Sequence, residues 1–208
     1  TRAVRGFTDI VLTVREVRGL PLLVSMIVLA GCASFFIGNS YQAQMPGFAQ
    51  DLGHGDPGTS YTMLLGADAA GALLAGILLE SRGGIFKLQP MAAISLSIVW
   101  ALALLGFALL RSYPLALGLL FVAGFFELSF SSMVQTLVQM NAPEATRGRV
   151  LGLYNMAASG LRAFSGVTVG LLGSLYGVHT SLACAAAAFV LVATTLLLRL
   201  RTPPPSAA

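Results

Sequence analysis

Two apolar runs joined by a short basic loop decide the fold of this chain. The first run ends in Glu127-Leu-Ser-Phe-Ser-Ser-Met-Val-Gln135, the loop is Asn141-Ala-Pro-Glu-Ala-Thr-Arg-Gly-Arg149, and the second run continues to Gly173. Each run is long enough to cross a bilayer, and each contains one charged residue, Glu127 or Arg162. The pattern predicts a pair of membrane-spanning helices with a buried charge on each.

Composition extends this interpretation to the whole chain. Of the 208 residues, 56% are hydrophobic and 10% are charged, with a mean hydropathy of +0.84, whereas soluble domains carry about 25% charged residues. Cys32 and Cys184 lie inside apolar runs, with no metal-ligand spacing and no phosphate-binding Gly-rich loop in the sequence. We therefore expect an all-α membrane protein with no cofactor, no metal and no nucleic-acid partner.

Six apolar runs predict six transmembrane helices, and their short connections predict that consecutive helices are antiparallel neighbours. We expect a cytoplasmic linker or amphipathic surface helix over 1–19, a six-helix domain over 20–198 and a disordered cytoplasmic tail over 199–208. The predicted spans are 20–48, 57–79, 88–110, 114–138, 150–173 and 180–198.

The basic residues predict the orientation of these spans. Ten lie in the head, the tail and the loops near 80–88 and 139–149, and Arg111 alone lies on the other side. Because cytoplasmic loops carry an excess of Lys and Arg, both ends of the chain are predicted to be cytoplasmic. The ten are Arg2, Arg5, Arg15, Arg18, Arg82, Lys87, Arg147, Arg149, Arg199 and Arg201.

Three ionisable side chains lie deep in the spans at similar predicted depths. At about 1.5 Å per residue, Asp68 is about 18 Å, Glu127 about 17 Å and Arg162 about 20 Å from the cytoplasmic end of its span. A charge in hydrocarbon costs at least about 2.5 kcal/mol, so such residues usually face a cavity or a partner. We predict a Glu127–Arg162 pair and a proton-carrying role for Asp68, which has no evident partner; a pair that only fixes helix packing is the alternative.

The remaining polar residues divide the spans into two groups. The third and sixth spans are almost wholly apolar and are predicted to face lipid, with Ser95, Ser97 and Trp100 as the polar interruptions of the third. The other four spans are predicted to line a substrate cavity with Asn39, Tyr41, Gln42, Ser131, Gln135, Asn155 and Ser159.

The chain resembles the carboxy-terminal six-helix half of a major facilitator superfamily transporter, in the bacterial efflux branch that includes enterobactin exporter-like proteins. The most specific segment is Pro143-Glu-Ala-Thr-Arg147-Gly148-Arg149-Val150, which is similar to the loop before the family's eleventh helix. Arg15-Glu-Val-Arg-Gly-Leu-Pro21 resembles the end of the family's central linker. Glu80-Ser-Arg82-Gly83 resembles the family's loop repeat, with Glu80 in place of Asp and Lys87 two positions late.

The resemblance implies a secondary transporter of the bacterial inner membrane that exports small molecules such as drugs or siderophores, driven by an ion gradient and most simply by proton antiport. It implies gating loops at Glu80, Arg82 and Gly83 and at Arg147, Gly148 and Arg149. It also implies a second six-helix half as partner, either a missing amino-terminal half or a second copy, because sites in such transporters lie between two halves.

Two other readings remain open. Ala163-Phe-Ser165-Gly166 is faintly similar to the nucleophile motif of intramembrane serine proteases, with His179 as the base. The motif lacks its first Gly, and a gap of roughly 10 Å between the two side chains disfavours the pairing. A passive six-helix membrane subunit is the third reading. The sequence does not identify the substrate.

Overall fold

A computed structural model of the chain describes residues 6–52, 59–81 and 87–201, and throughout these ranges the regular secondary structure is helical. Two of the helices begin at proline and two others have proline as their second residue. Proline suits the first helical turn because the backbone N–H that it lacks would have no partner there. The helices are α1 (Gly6–Val17), α2 (Pro21–Phe36), α3 (Ser40–Ala43), α4 (Met45–Asp51), α5 (Ser60–Ser81), α6 (Pro90–Leu109), α7 (Tyr113–Asn141), α8 (Arg147–Asn155), α9 (Arg162–Tyr176) and α10 (Val178–Arg201).

Five helical segments are long and apolar enough to cross a membrane, and the chain is therefore a multi-pass membrane protein. They cover four of the predicted spans as continuous helices and most of the first predicted span. The segment predicted over 150–173 is not among them because it is divided into α8, a π-helical turn at Met156–Gly160, and α9. The five are Pro21–Ala43, Ser60–Glu80, Pro90–Leu109, Tyr113–Asn141 and Val178–Leu200.

The first predicted span is also broken, where the sequence predicted one helix over 20–48. Gly38 has φ +49, a left-handed conformation that a glycine adopts without steric cost. A Cβ at Gly38 would collide with the Ser165 side chain and the Ser34 carbonyl, so the turn lies directly against α9. The chain continues as two short helices, α3 and α4.

The break in α2 lies beside the break between α8 and α9. The hydroxyl of Ser34 donates to the carbonyl of Ala158 inside the π-helical turn, and Gly31 faces Ala157 and Leu161. A π-helical turn disrupts the regular pattern of backbone hydrogen bonds, and here a side chain of α2 satisfies one of its carbonyls. The two interrupted segments therefore meet at their interruptions.

In contrast, α5 and α7 cross as continuous helices with their backbones in direct contact. A Cβ at Gly71 would collide with the carbonyl of Phe121, and a Cβ at Gly124 would collide with the carbonyl of Asp68. Gly71 of α5 and Gly124 of α7 therefore each let the backbone of the other helix approach closely, as small residues do at helix contacts in membranes.

The third predicted span is not simply lipid-facing. α6 packs between α7 and α10, and about half of its residues are buried, including Trp100. Trp100 contacts Phe130 of α7 and Phe189 of α10, with ring centroids 5.0 and 5.6 Å apart. Another part of α6 is exposed and apolar, at Val99, Leu102 and Leu109, so lipid contact there stays a prediction.

The two ends of the chain agree only in part with the linker or surface helix predicted over 1–19 and the disordered tail predicted over 199–208. α1 packs against α8, burying Thr13 and Val17 and leaving Val11 and Leu12 exposed. α10 continues as helix to Arg201, three residues into the segment predicted as a disordered tail. The predictions for 1–5 and 202–208 lie outside the described residues.

Candidate functional site

Two carboxylates from different helices share one tyrosine hydroxyl inside the bundle. The hydroxyl of Tyr41 lies 2.9 Å from Glu127 Oε2 and 3.3 and 3.4 Å from the two oxygens of Asp68. Gln42 Nε2 donates to Asp68 Oδ2 at 2.9 Å and lies 3.3 Å from the Tyr41 hydroxyl. We call these four residues, Tyr41, Gln42, Asp68 and Glu127, the carboxylate cluster.

Three elements position the carboxylate cluster. Tyr41 and Gln42 lie on α3, just beyond the Gly38 turn that ends α2. Asp68 lies on α5, where its own backbone carbonyl is in contact with Gly124 of α7. Glu127 follows Gly124 by three residues, on the same face of α7. The close crossing of α5 and α7 therefore sets how far apart the two carboxylates are.

The carboxylate cluster has more hydrogen-bond acceptors than donors. Tyr41 is 0% and Asp68 6% exposed, so water supplies few of the missing donors in this arrangement. A tyrosine hydroxyl has a single proton to donate and cannot satisfy both carboxylates at once. A proton on either carboxyl group would supply the missing donor, so the cluster is chemically suited to bind and release a proton.

Arg162 lies near this cluster but does not contact it directly. Among the described residues, Glu127 and Arg162 form no ion pair within 4.0 Å, and the hydrogen-bond partner of Glu127 is Tyr41. The predicted direct Glu127–Arg162 pair is thus absent from this arrangement. The expectation that Asp68 lacks a partner was wrong, because Gln42 and Tyr41 both bond to it. Tyr41 was predicted for the cavity but not as the link between carboxylates.

Two cavities meet beside the carboxylate cluster. One of about 230 Å³ is bounded by α2, α6, α7, α8 and the π-helical turn. The other, of about 490 Å³, lies between α5 and α7 and is bordered by Gln42 and Asp68. Glu127, Ser131 and Arg162 border both cavities. The two cavities therefore adjoin along a shared polar boundary.

Most of the predicted cavity residues lie on these walls. Ser131, Gln135, Asn155 and Ser159 border the smaller cavity, and Gln42 borders the larger one. Asn39 is exposed in the turn before α3 and borders neither cavity. The Tyr41 side chain is buried within the carboxylate cluster.

Sequence reasoning missed Trp100 as a site residue. It is the only tryptophan of the chain and borders the smaller cavity although it lies on α6. Its place in an otherwise apolar run was the available signal, since a buried indole N–H normally requires a partner.

The residues predicted to form gating loops lie at helix ends where the structure describes them. Glu80 is exposed at the end of α5, and Arg147, Gly148 and Arg149 are exposed on the first turn of α8. Arg82 and Gly83 lie outside the described residues.

The side chains considered for serine protease chemistry have other neighbours. The hydroxyl of Ser165 donates to the carbonyl of Arg162 at 2.8 Å. His179 Nδ1 lies 2.9 Å from the Ala108 carbonyl, and its Nε2 lies 3.7 Å from Asp51 Oδ2. Each side chain therefore contacts groups other than those that the protease reading requires.

A family model of the major facilitator superfamily, described as transmembrane secretion effector, matches residues 20–208. No curated protein matches the chain.

Proposed function

The chain belongs to the transmembrane secretion effector family of major facilitator transporters, and from this premise we propose that it is one six-helix half of a proton-driven exporter of small molecules. The carboxylate cluster is the observation that carries the proposal. It puts two carboxylates and one shared hydroxyl inside membrane-spanning helices, where ionisable residues are costly and commonly serve proton or substrate pathways.

The coupling we propose is an exchange of protons for substrate at neighbouring positions. Asp68 is the proposed carrier, with Glu127 as the second carboxylate of the same cluster. Because Glu127 also borders both cavities, a change in the charge of the cluster alters the potential that a bound substrate experiences. Proton uptake from outside would make the cluster less negative and so favour release of a positively charged substrate, which is the requirement for antiport.

The polar face of the chain supports the need for a second six-helix half. Gln135, Asn155, Ser159 and Arg162 border the smaller cavity and are all exposed. Unsatisfied polar groups in hydrocarbon cost several kcal/mol each, so this face is suited to a water-filled cavity between two halves. The missing half is an amino-terminal half or a second copy.

The proposed architecture has six spans, with α8, the π-helical turn and α9 together forming the fifth. Both ends are proposed to face the cytoplasm of a bacterium, on the inner-membrane side where the basic residues lie. Arg111→Cys should be labelled by an impermeant thiol reagent from outside and Glu144→Cys only from inside, after Cys32 and Cys184 are replaced by Ser. Labelling of both from the same side contradicts this topology.

Proton coupling is tested in vesicles that contain the complete transporter. Asp68→Asn should leave substrate binding largely intact but abolish the dependence of transport on an imposed pH gradient. Asp51→Asn is the matched control, because Asp51 is a half-exposed carboxylate outside the cluster, and it should retain the dependence. Full proton-coupled transport by Asp68→Asn would remove Asp68 as the carrier. Vesicles that contain this chain alone should show no flux above background.

A further inference from the structure

Two side chains of opposite charge border the two cavities without meeting. Glu127 of α7 and Arg162 of α9 each lie on the wall of both cavities. Among the described residues they form no ion pair within 4.0 Å. A carboxylate and a guanidinium group therefore face the same space, separated by a gap that a bound molecule can bridge.

Both side chains can be reached from that space. Glu127 Oε2 accepts a hydrogen bond from the Tyr41 hydroxyl. Within the part of the chain that the structure describes, Oε1 of the same carboxylate makes no hydrogen bond, yet it is not fully enclosed. Arg162 is exposed. A ligand in the cavities can therefore contact one oxygen of Glu127 and the guanidinium of Arg162.

The remaining charge at the cavities is less available. Asp68 is the one other charged residue among the described residues that border them. Its side chain is buried, and Gln42 Nε2 donates to its Oδ2 at 2.9 Å. Glu127 and Arg162 are thus the two charges that a ligand meets first.

This pair of charges distinguishes between classes of ligand. A purely cationic molecule would lie beside Arg162, and a purely anionic one beside Glu127, where like charges raise the free energy of binding. A molecule with one charge of each sign meets an opposite charge at both ends. The planar fork of a guanidinium matches a carboxylate through two parallel hydrogen bonds, so a carboxylate is the anionic group that suits Arg162.

Resting on the export function proposed above, we propose that the transported molecule is zwitterionic, and that it binds across the shared boundary with its carboxylate on Arg162 and its ammonium group on Glu127. Cavities of about 230 and 490 Å³ leave room for a small organic molecule between the two contacts. Proton uptake by the carboxylate cluster would release the ammonium end, while Arg162 keeps its charge.

Three ligands of nearly equal size test the substrate class by binding alone. We would measure binding of radiolabelled 4-(aminomethyl)benzoic acid to the complete transporter in lipid nanodiscs at pH 7. The unlabelled competitors are 4-methylbenzylamine, which lacks the carboxylate, and 4-methylbenzoic acid, which lacks the ammonium group. The zwitterion should bind saturably and at least about tenfold more tightly than either competitor, as expected for one additional hydrogen-bonded charge contact.

Two variants assign each end of the zwitterion to its side chain. Arg162→Gln should lower the affinity for the zwitterion to that for 4-methylbenzylamine, and Glu127→Gln should lower it to that for 4-methylbenzoic acid. Arg111→Gln and Glu144→Gln are the matched controls, because both residues are exposed and border neither cavity. They should bind all three ligands like the parent.

Arg162→Lys is a milder variant that keeps the positive charge but loses the guanidinium fork. It should weaken binding of the zwitterion and leave binding of 4-methylbenzylamine unchanged. Equal affinities of the parent protein for the three ligands overturn the proposal, and so does the absence of binding by all three. Tenfold selectivity for the zwitterion that persists in Arg162→Gln or in Glu127→Gln overturns it as well.

The outcome is separable from that of the proposed export function. Zwitterion-selective binding by a protein that transports nothing in the vesicle assay would retain the binding site and reject the exporter. Proton-coupled export by a protein that binds the three ligands equally would retain the exporter and reject the zwitterion site.

Discussion

The two sides of the cavity boundary are built in opposite ways. On one side α5 and α7 run without interruption and touch backbone to backbone at Gly71 and Gly124. On the other side α2 ends at the Gly38 turn, and α8 gives way to a π-helical turn before α9 begins. The continuous side carries both carboxylates, and the interrupted side carries Arg162.

This difference indicates that the continuous side, α5 and α7, is rigid and that the interrupted side, α2, α8 and α9, can change its shape. Close-packed helices respond to displacement with steric cost, so α5 and α7 keep Asp68 and Glu127 at a fixed separation. Interrupted helices can bend where regular hydrogen bonding is lost. We infer that Asp68 and Glu127 are the fixed part of the carboxylate cluster, whereas Tyr41 and Gln42 lie beyond the Gly38 break, on the side that can bend.

The largest expected effect comes from separating the continuous pair. Gly124→Ala places a methyl group against the carbonyl of Asp68 and should lower stability by about 1–3 kcal/mol, as overpacking does. The folded fraction measured through a denaturing-detergent titration reports the change. Gly118→Ala is the control on the same helix, because a Cβ there meets nothing within 4 Å. Equal stability of the two variants would contradict the tight crossing.

A smaller effect is expected on the interrupted side. Ser34→Ala removes the hydroxyl that donates to Ala158 in the π-helical turn and should cost about 0.5–1.5 kcal/mol in the same titration. Ser25→Ala is the control, because the Ser25 hydroxyl donates to Pro21 within its own helix. A loss no larger than that of the control would show that the π-helical turn does not depend on α2.

The smallest effect tests the connection between the two sides. Without a direct ion pair, the stability losses of Glu127→Gln and Arg162→Gln should add to within about 0.5 kcal/mol in a double-mutant cycle. A coupling of several kcal/mol, with recovery in the double variant, would instead restore the pair that the sequence predicted.

The helices were largely predictable because hydrophobic runs and proline positions are local signals. The breaks were harder to predict. Gly38-Asn39-Ser40 is a turn-like triplet, but it lies inside the span that was predicted to be continuous over 20–48. Nothing in Met156-Ala-Ala-Ser-Gly160 distinguishes a π-helical turn from an α-helix, and its contact with Ser34 comes from another segment of the chain.

The residues of the candidate site were likewise predictable only where the sequence signal is local. Asp68, Glu127 and Arg162 were found because charge is rare in apolar runs. The link through Tyr41 was not found, because it depends on the α2 break, which turns α3 toward α5 and α7. Trp100 was missed because its indole, the available signal in α6, was interpreted only as a polar interruption of a lipid-facing span.

The π-helical turn determines how α9 is rotated about its axis relative to α8. It fits one more residue into a turn than an α-helix does, and each residue of an α-helix rotates the chain by about 100°. If Met156–Gly160 converted to α-helical hydrogen bonding, α9 would turn about its own axis by about that angle relative to α8. Arg162, at the first position of α9, would then leave the cavity wall and face a neighbouring helix or lipid. A single change in backbone hydrogen bonding would therefore rotate Arg162, the one cation among the described residues that border both cavities.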